Sequence, residues 1–71
     1  MLFRSMATLD GKRVREKILE EADELCSEAE TKQDIVWETA DLFYFMNVLM
    51  YREGVTWRDV YGELDRRHKS T

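Results

Sequence analysis

Apolar residues return at helical spacing along most of the chain. Val14, Ile18, Leu25 and Ala29 share one face, with Ala22 beside them and polar residues at most other positions. This spacing predicts a helix over about residues 11–29, opened by Asp10 as its cap. Glu30-Thr31-Lys32-Gln33-Asp34 breaks the pattern. Thr31 with an acid three residues on resembles a capping box, and a second helix is expected over about residues 32–53. Its centre, Leu42-Phe43-Tyr44-Phe45-Met46-Asn47-Val48-Leu49-Met50, is apolar nearly all round. Such a helix is covered on more than one side, and one short chain cannot supply the cover. Gly54 provides a stop. Thr56, with Asp59 three residues later, opens a third helix with the stripe Trp57, Val60, Tyr61 and Leu64, ending near Arg66-Arg67-His68. No strand pattern and no internal repeat occurs. The expected fold is all-α, an antiparallel helical bundle of three main helices dimerising through the central one. A single domain is expected over residues 1–71, with 1–9 as a loose arm.

Composition sharpens this picture. Proline is absent and glycine occurs 3 times among 71 residues, as helices require. No apolar run approaches the roughly 18 residues of a membrane span. A net charge of -4 argues against a general nucleic-acid binder. The single Cys26 excludes an intramolecular disulfide and a cysteine-based zinc site. A free thiol suits the reducing cytosol, and Met1-Leu2-Phe3-Arg4 is too short for a signal peptide, so a cytoplasmic location is expected. A domain of this size buries only about 60% of its unfolded surface. With no disulfide to compensate, a homodimer or higher homo-oligomer is expected.

Four acids stand where apolar residues belong. The first seam runs Val14, Ile18, Glu21, Leu25, so Glu21 takes a seam position, and Glu24 lies one turn on along the same face. In the second helix Glu38 falls between Ile35 and Leu42, and Asp41 follows three residues later. Each helix thus carries an acid-x-x-acid pair, and the short link makes the two helices antiparallel neighbours. The plain alternative is a solvated charged face, but both pairs interrupt apolar seams. Facing carboxylates repel, and burying them unpaired costs several kcal/mol or forces protonation. A divalent cation removes the conflict, and all-oxygen ligands select a hard ion, Mg²⁺ or Mn²⁺. The absence of a Glu-x-x-His pair disfavours a di-iron carboxylate bundle. Lys17 shares the ligand face; it either contacts a substrate phosphate or pairs with Glu20 or Glu21. Arg66 and Arg67 either reach phosphate across a dimer or act as helix-end charges.

Glu20-Glu21-x-x-Glu24 followed by Glu38-x-x-Asp41 resembles the signature of the all-α, MazG-like nucleotide pyrophosphohydrolases. Longer stretches are similar to the phosphoribosyl-ATP pyrophosphohydrolase family of histidine biosynthesis, especially the middle domain of fungal and plant multifunctional enzymes. They are Arg15 through Leu25, Trp37 through Phe45, Arg52-Glu53-Gly54-Val55-Thr56-Trp57-Arg58-Asp59-Val60 and Leu64-Asp65-Arg66-Arg67. The resemblance implies Mg²⁺-dependent hydrolysis of phosphoribosyl-ATP to phosphoribosyl-AMP and pyrophosphate, by a helical dimer with active sites near the subunit interface. It implies Glu21, Glu24, Glu38 and Asp41 as metal ligands, and Glu20 as the acid that orients or deprotonates the attacking water. It places a lysine at Lys17 too. Family members usually carry a further helix and a Ser-x-Thr loop before the position of Gly11, which Ser5-Met6-Ala7-Thr8 resembles only distantly. The alternatives are a MazG-type (d)NTP pyrophosphohydrolase that cleanses the nucleotide pool, and a non-catalytic helical dimerisation module.

Overall fold

Each helix begins where a side chain takes over a backbone N–H that has no partner within the helix. The computed structural model describes residues 10–69; the expected arm over 1–9 lies outside them. Asp10 Oδ1 accepts from the Arg13 N–H at 2.7 Å and opens α1, Gly11–Ser27. Thr31 opens α2, Lys32–Glu53, with the reciprocal pair the sequence suggests. Its hydroxyl accepts from the Asp34 N–H at 3.0 Å, and Asp34 accepts back from the Thr31 N–H at 3.2 Å. The Thr31 N–H, and then the Glu30 N–H donating at 3.3 Å, hold the Asp34 carboxyl below its ordinary range. Thr56 and Asp59 repeat the device at the start of α3, Trp57–Lys69, at 3.2 and 2.9 Å.

Gly54 ends α2 in the left-handed conformation, at φ 71°. Its N–H reaches the Tyr51 carbonyl at 3.3 Å, and the Val55 N–H reaches Met50 at 2.9 Å. The two bonds close a Schellman turn. α1 stops at Ser27, short of the expected Ala29, because the Glu28 and Ala29 N–H groups both close on the Glu24 carbonyl, at 2.9 and 3.1 Å. The chain is released early enough for the Thr31 box to start α2.

α1 and α2 pack as an antiparallel hairpin. Val14 and Val48, at its far end, are both 0% exposed. Toward the connecting turn, Lys17 faces Phe45, and beyond it Glu21 meets Asp41 and Glu38. α3 docks through its first turn. The Trp57 ring stacks on Phe43 with centroids 4.9 Å apart and 11° between planes. Trp57 Nε1 donates to Asn47 Oδ1 at 2.6 Å, while Asn47 Nδ2 donates to the Phe43 carbonyl at 2.8 Å. Tyr61 adds a tilted ring contact to Trp57 at 6.0 Å.

The described residues form an all-α fold with no strand among them. None of the described helices is long and apolar enough to cross a membrane. Among the described residues several apolar side chains of α2 stay open: Trp37 is 59% and Tyr51 72% exposed.

Candidate metal centre

The seam that buries Val14 also buries Glu21, two turns further along α1. Glu21 is 8% exposed, the only buried charged side chain among the described residues. Across from it, α2 presents Glu38 and Asp41 to the same seam. One carboxylate oxygen from each of Glu21, Glu38 and Asp41 lies within 4.8 Å of the others. Glu20, Glu21 and Glu24 form a second set at the same spacing, so Glu21 belongs to both.

These carboxyls lie close enough to interact with one another. Glu24 hydrogen-bonds to both Glu21 and Glu38. A bond between two carboxyls requires a proton on one of them. Burial, then the bond and charge of Glu24, then the charges of Asp41 and Glu38, push Glu21 up to about 7. Glu38 is raised as well, first by its bond to Glu24, then by desolvation and by the charges of Glu24, Asp41 and Glu28. Even so, Glu21 Oε2 and Glu38 Oε2 are buried with no hydrogen-bond partner.

Two orphaned oxygens on facing helices, within an all-carboxylate donor set, fit a hard divalent ion. Oxygens on opposite sides of Mg²⁺ stand about 4 Å apart, so a spacing of up to 4.8 Å needs only a small contraction. A proton shared between acids is the alternative way to satisfy such a cluster, and a divalent ion, if bound, would displace it.

The structure therefore brings together Glu20, Glu21, Glu24, Glu38 and Asp41. Lys17 stands at their rim, its Nζ 3.2 Å from Glu20 Oε2. Arg66 and Arg67 are gathered elsewhere, on Glu63 of α3. Arg66 grips that carboxylate with both Nε, at 3.0 Å, and Nη2, and Arg67 Nε adds a contact at 2.9 Å. Arg66 first, then Arg67, holds the Glu63 carboxyl below its usual range. Sequence reasoning assigns no role to Glu63, although its spacing of three and four residues to two arginines is the available signal. It also passed over Phe45 as a partner of Lys17; the antiparallel register, one turn beyond Asp41, was the clue there.

The family model described as phosphoribosyl-ATP pyrophosphohydrolase matches residues 4–68. The chain is 45% identical over 60 residues to a histidine biosynthesis bifunctional protein of Schizosaccharomyces pombe, covering 84% of this chain and 14% of that protein. It is 50% identical over 58 residues to a histidine biosynthesis trifunctional protein of Neurospora crassa, covering 82% and 7%. It is 48% identical over 58 residues to a phosphoribosyl-ATP pyrophosphatase of Saccharolobus solfataricus, covering 79% and 62%. The chain thus spans a small part of the two fungal proteins and under two thirds of the archaeal one. No solved structure matches it. A family match across nearly the whole chain coincides with an acid cluster built by its first two helices: the chain belongs to the phosphoribosyl-ATP pyrophosphohydrolase family.

Proposed function

We propose that the chain hydrolyses phosphoribosyl-ATP to phosphoribosyl-AMP and pyrophosphate, the second step of histidine biosynthesis, with Mg²⁺ as cofactor and Mn²⁺ as a substitute. The observation that carries this reading is the pair of orphaned oxygens, Glu21 Oε2 and Glu38 Oε2, inside a family-matching acid cluster. Glu21, Glu24, Glu38 and Asp41 would hold the ion. When bound, it supplies Lewis-acid stabilisation of charge on the phosphoanhydride and on the departing pyrophosphate.

The chain's own residues do the rest. Glu20 is exposed at the rim of the cluster, where water has access. Its carboxylate orients a water molecule and takes a proton as the oxygen attacks phosphorus. The bond between phosphorus and the bridging anhydride oxygen breaks, and the electron pair leaves with that oxygen. No covalent nucleophile is needed. Lys17 fixes Glu20 through the 3.2 Å ion pair and offers its remaining donors to a phosphate. Arg66 and Arg67 add charge for the polyphosphate when substrate draws them from Glu63.

The working unit in this proposal is a homodimer or a higher homo-oligomer. The exposed apolar side chains of α2, among them Ile35, Val36, Trp37 and Tyr51, supply the surface for a second copy. A cytoplasmic location fits the free thiol of Cys26.

Pyrophosphate release with Mg²⁺, compared across phosphoribosyl-ATP, ATP and a dNTP panel, tests the proposal, with Glu38→Gln as control. Release from phosphoribosyl-ATP, abolished in the variant, is the expected result. Release mainly from dNTPs would move the activity to nucleotide-pool cleansing. Silence on every substrate from an intact dimer would make the chain a dimerisation module.

A further inference from the structure

Ion binding explains the acids but not the placement of the cation beside them. Lys17 lies four residues before Glu21 on α1, a spacing at which a lysine commonly pairs with an acid of its own helix. A lysine on Glu21 would occupy the oxygen that now has no partner. The ammonium goes elsewhere. It pairs with Glu20 Oε2 at 3.2 Å and stands 5.6 Å from the centroid of the Phe45 ring. Phe45 belongs to the opposite helix, one turn beyond Asp41. Its ring also makes a T-shaped contact with the ring of Tyr44, with centroids 4.9 Å apart and planes at 63°. A cation over an aromatic face is attracted by the ring quadrupole, more strongly where water is partly excluded. The Lys17 side chain is 27% exposed, so its stem is largely covered.

We infer that Phe45 is a positioning residue: its ring holds the Lys17 ammonium on Glu20 and off Glu21, which keeps Glu21 Oε2 open to a divalent ion. This rests on the proposed ion binding at the acid cluster. Without the ring face, the freed ammonium competes with the ion for Glu21 and no longer fixes Glu20. Phe45 acts on both acids through Lys17, and its effect vanishes when Lys17 carries no charge.

The test is a Mn²⁺ titration of the full chain in four forms: wild type, Phe45→Leu, Lys17→Met and the double variant, with Phe45→Tyr as the conservative replacement. Phe45→Leu is expected to lower Mn²⁺ affinity about two- to fivefold, the weight of one cation–ring contact. Phe45→Tyr keeps the wild-type affinity. In the Lys17→Met background the leucine change has no effect. An unchanged affinity in Phe45→Leu, or an equal loss in both backgrounds, overturns the inference, since loss of packing would act whether or not Lys17 is present. The second readout needs no ion. The ε-methylene protons of Lys17 resonate upfield in the wild type from the ring current of Phe45, and an ordinary shift there also overturns it. Because it is read on the wild type, the test survives a Phe45→Leu chain that does not fold. Failure of the wild type to take up Mn²⁺ would sink the ion-binding reading, and the ring-current shift tells that failure apart from a failure of the Phe45 role.

Discussion

Glu21→Gln is expected to stabilise the metal-free chain at neutral pH while destroying its ion site. Folded, Glu21 keeps its proton up to about pH 7; unfolded, it loses it near its ordinary value of 4.5. Between these values the folded state holds more protons than the unfolded state, so stability falls as pH rises. A rise from 4.5 to about 7 corresponds to about 3 kcal/mol, fully lost a little above pH 7. Glu38, shifted the same way, steepens the slope. Glutamine cannot ionise, and its amide can donate to Glu24. In chelator, Glu21→Gln therefore matches the wild type near pH 4.5 and exceeds it by about 3 kcal/mol at pH 8, or about 12–24 °C in midpoint. Mg²⁺ restores the wild type at pH 8 and leaves the variant unmoved. Helix signal followed during heating, at one fixed protein concentration, reads all of this. A flat wild-type profile in chelator, or a variant with the same slope, would refute the argument that burial and three neighbouring acids strain Glu21.

Three further outcomes follow from particular contacts. Asp41→Asn removes a proposed ligand and should cut pyrophosphate release more than about 100-fold, beyond the usual cost of losing a group that merely supports a ligand; steady-state assays with Mg²⁺ check it. Gly54→Ala meets nothing within 4 Å, yet sits at φ +71°, so it should cost about 1–2 kcal/mol through the backbone alone, seen in urea melts without change in ion affinity. Trp57→Phe keeps the ring stack on Phe43 but leaves Asn47 Oδ1 without its donor; a loss of about 1 kcal/mol, concentrated in hydrogen exchange of α3 amides, is expected.

The helices were legible because their boundaries are chemical. Asp10, the Thr31–Asp34 and Thr56–Asp59 pairs, and Gly54 each satisfy backbone groups over a few residues, and such local signals survive in one dimension. The end of α1 was not so marked, because two N–H groups closing on one carbonyl leave no trace in side-chain type. Glu21 was legible for a different reason: an acid at a seam position is an anomaly visible by counting. What lies across the hairpin was harder to read. The bond between Glu24 and Glu38, the ring of Phe45 beneath Lys17, and the meeting of Trp57 with Asn47 depend on how one helix registers against another. The pairing of Glu63 with Arg66 and Arg67 is local and readable from its spacing of three and four residues, but sequence reasoning weighs those arginines only as phosphate contacts or helix-end charges.

The acids that converge all come from α1 and α2, with about twenty residues between the farthest of them. The two helices that carry them are joined by a short link. Closing a loop of this length is fast and entropically mild, the cost growing only slowly with separation. The proposed ligand set would thus assemble with the hairpin and not await the docking of α3. If the proposed ion binds that early, it would stabilise structure already present at the folding barrier and so accelerate folding. An ion bridging α1 and α3 would instead act mainly by slowing escape from the finished fold.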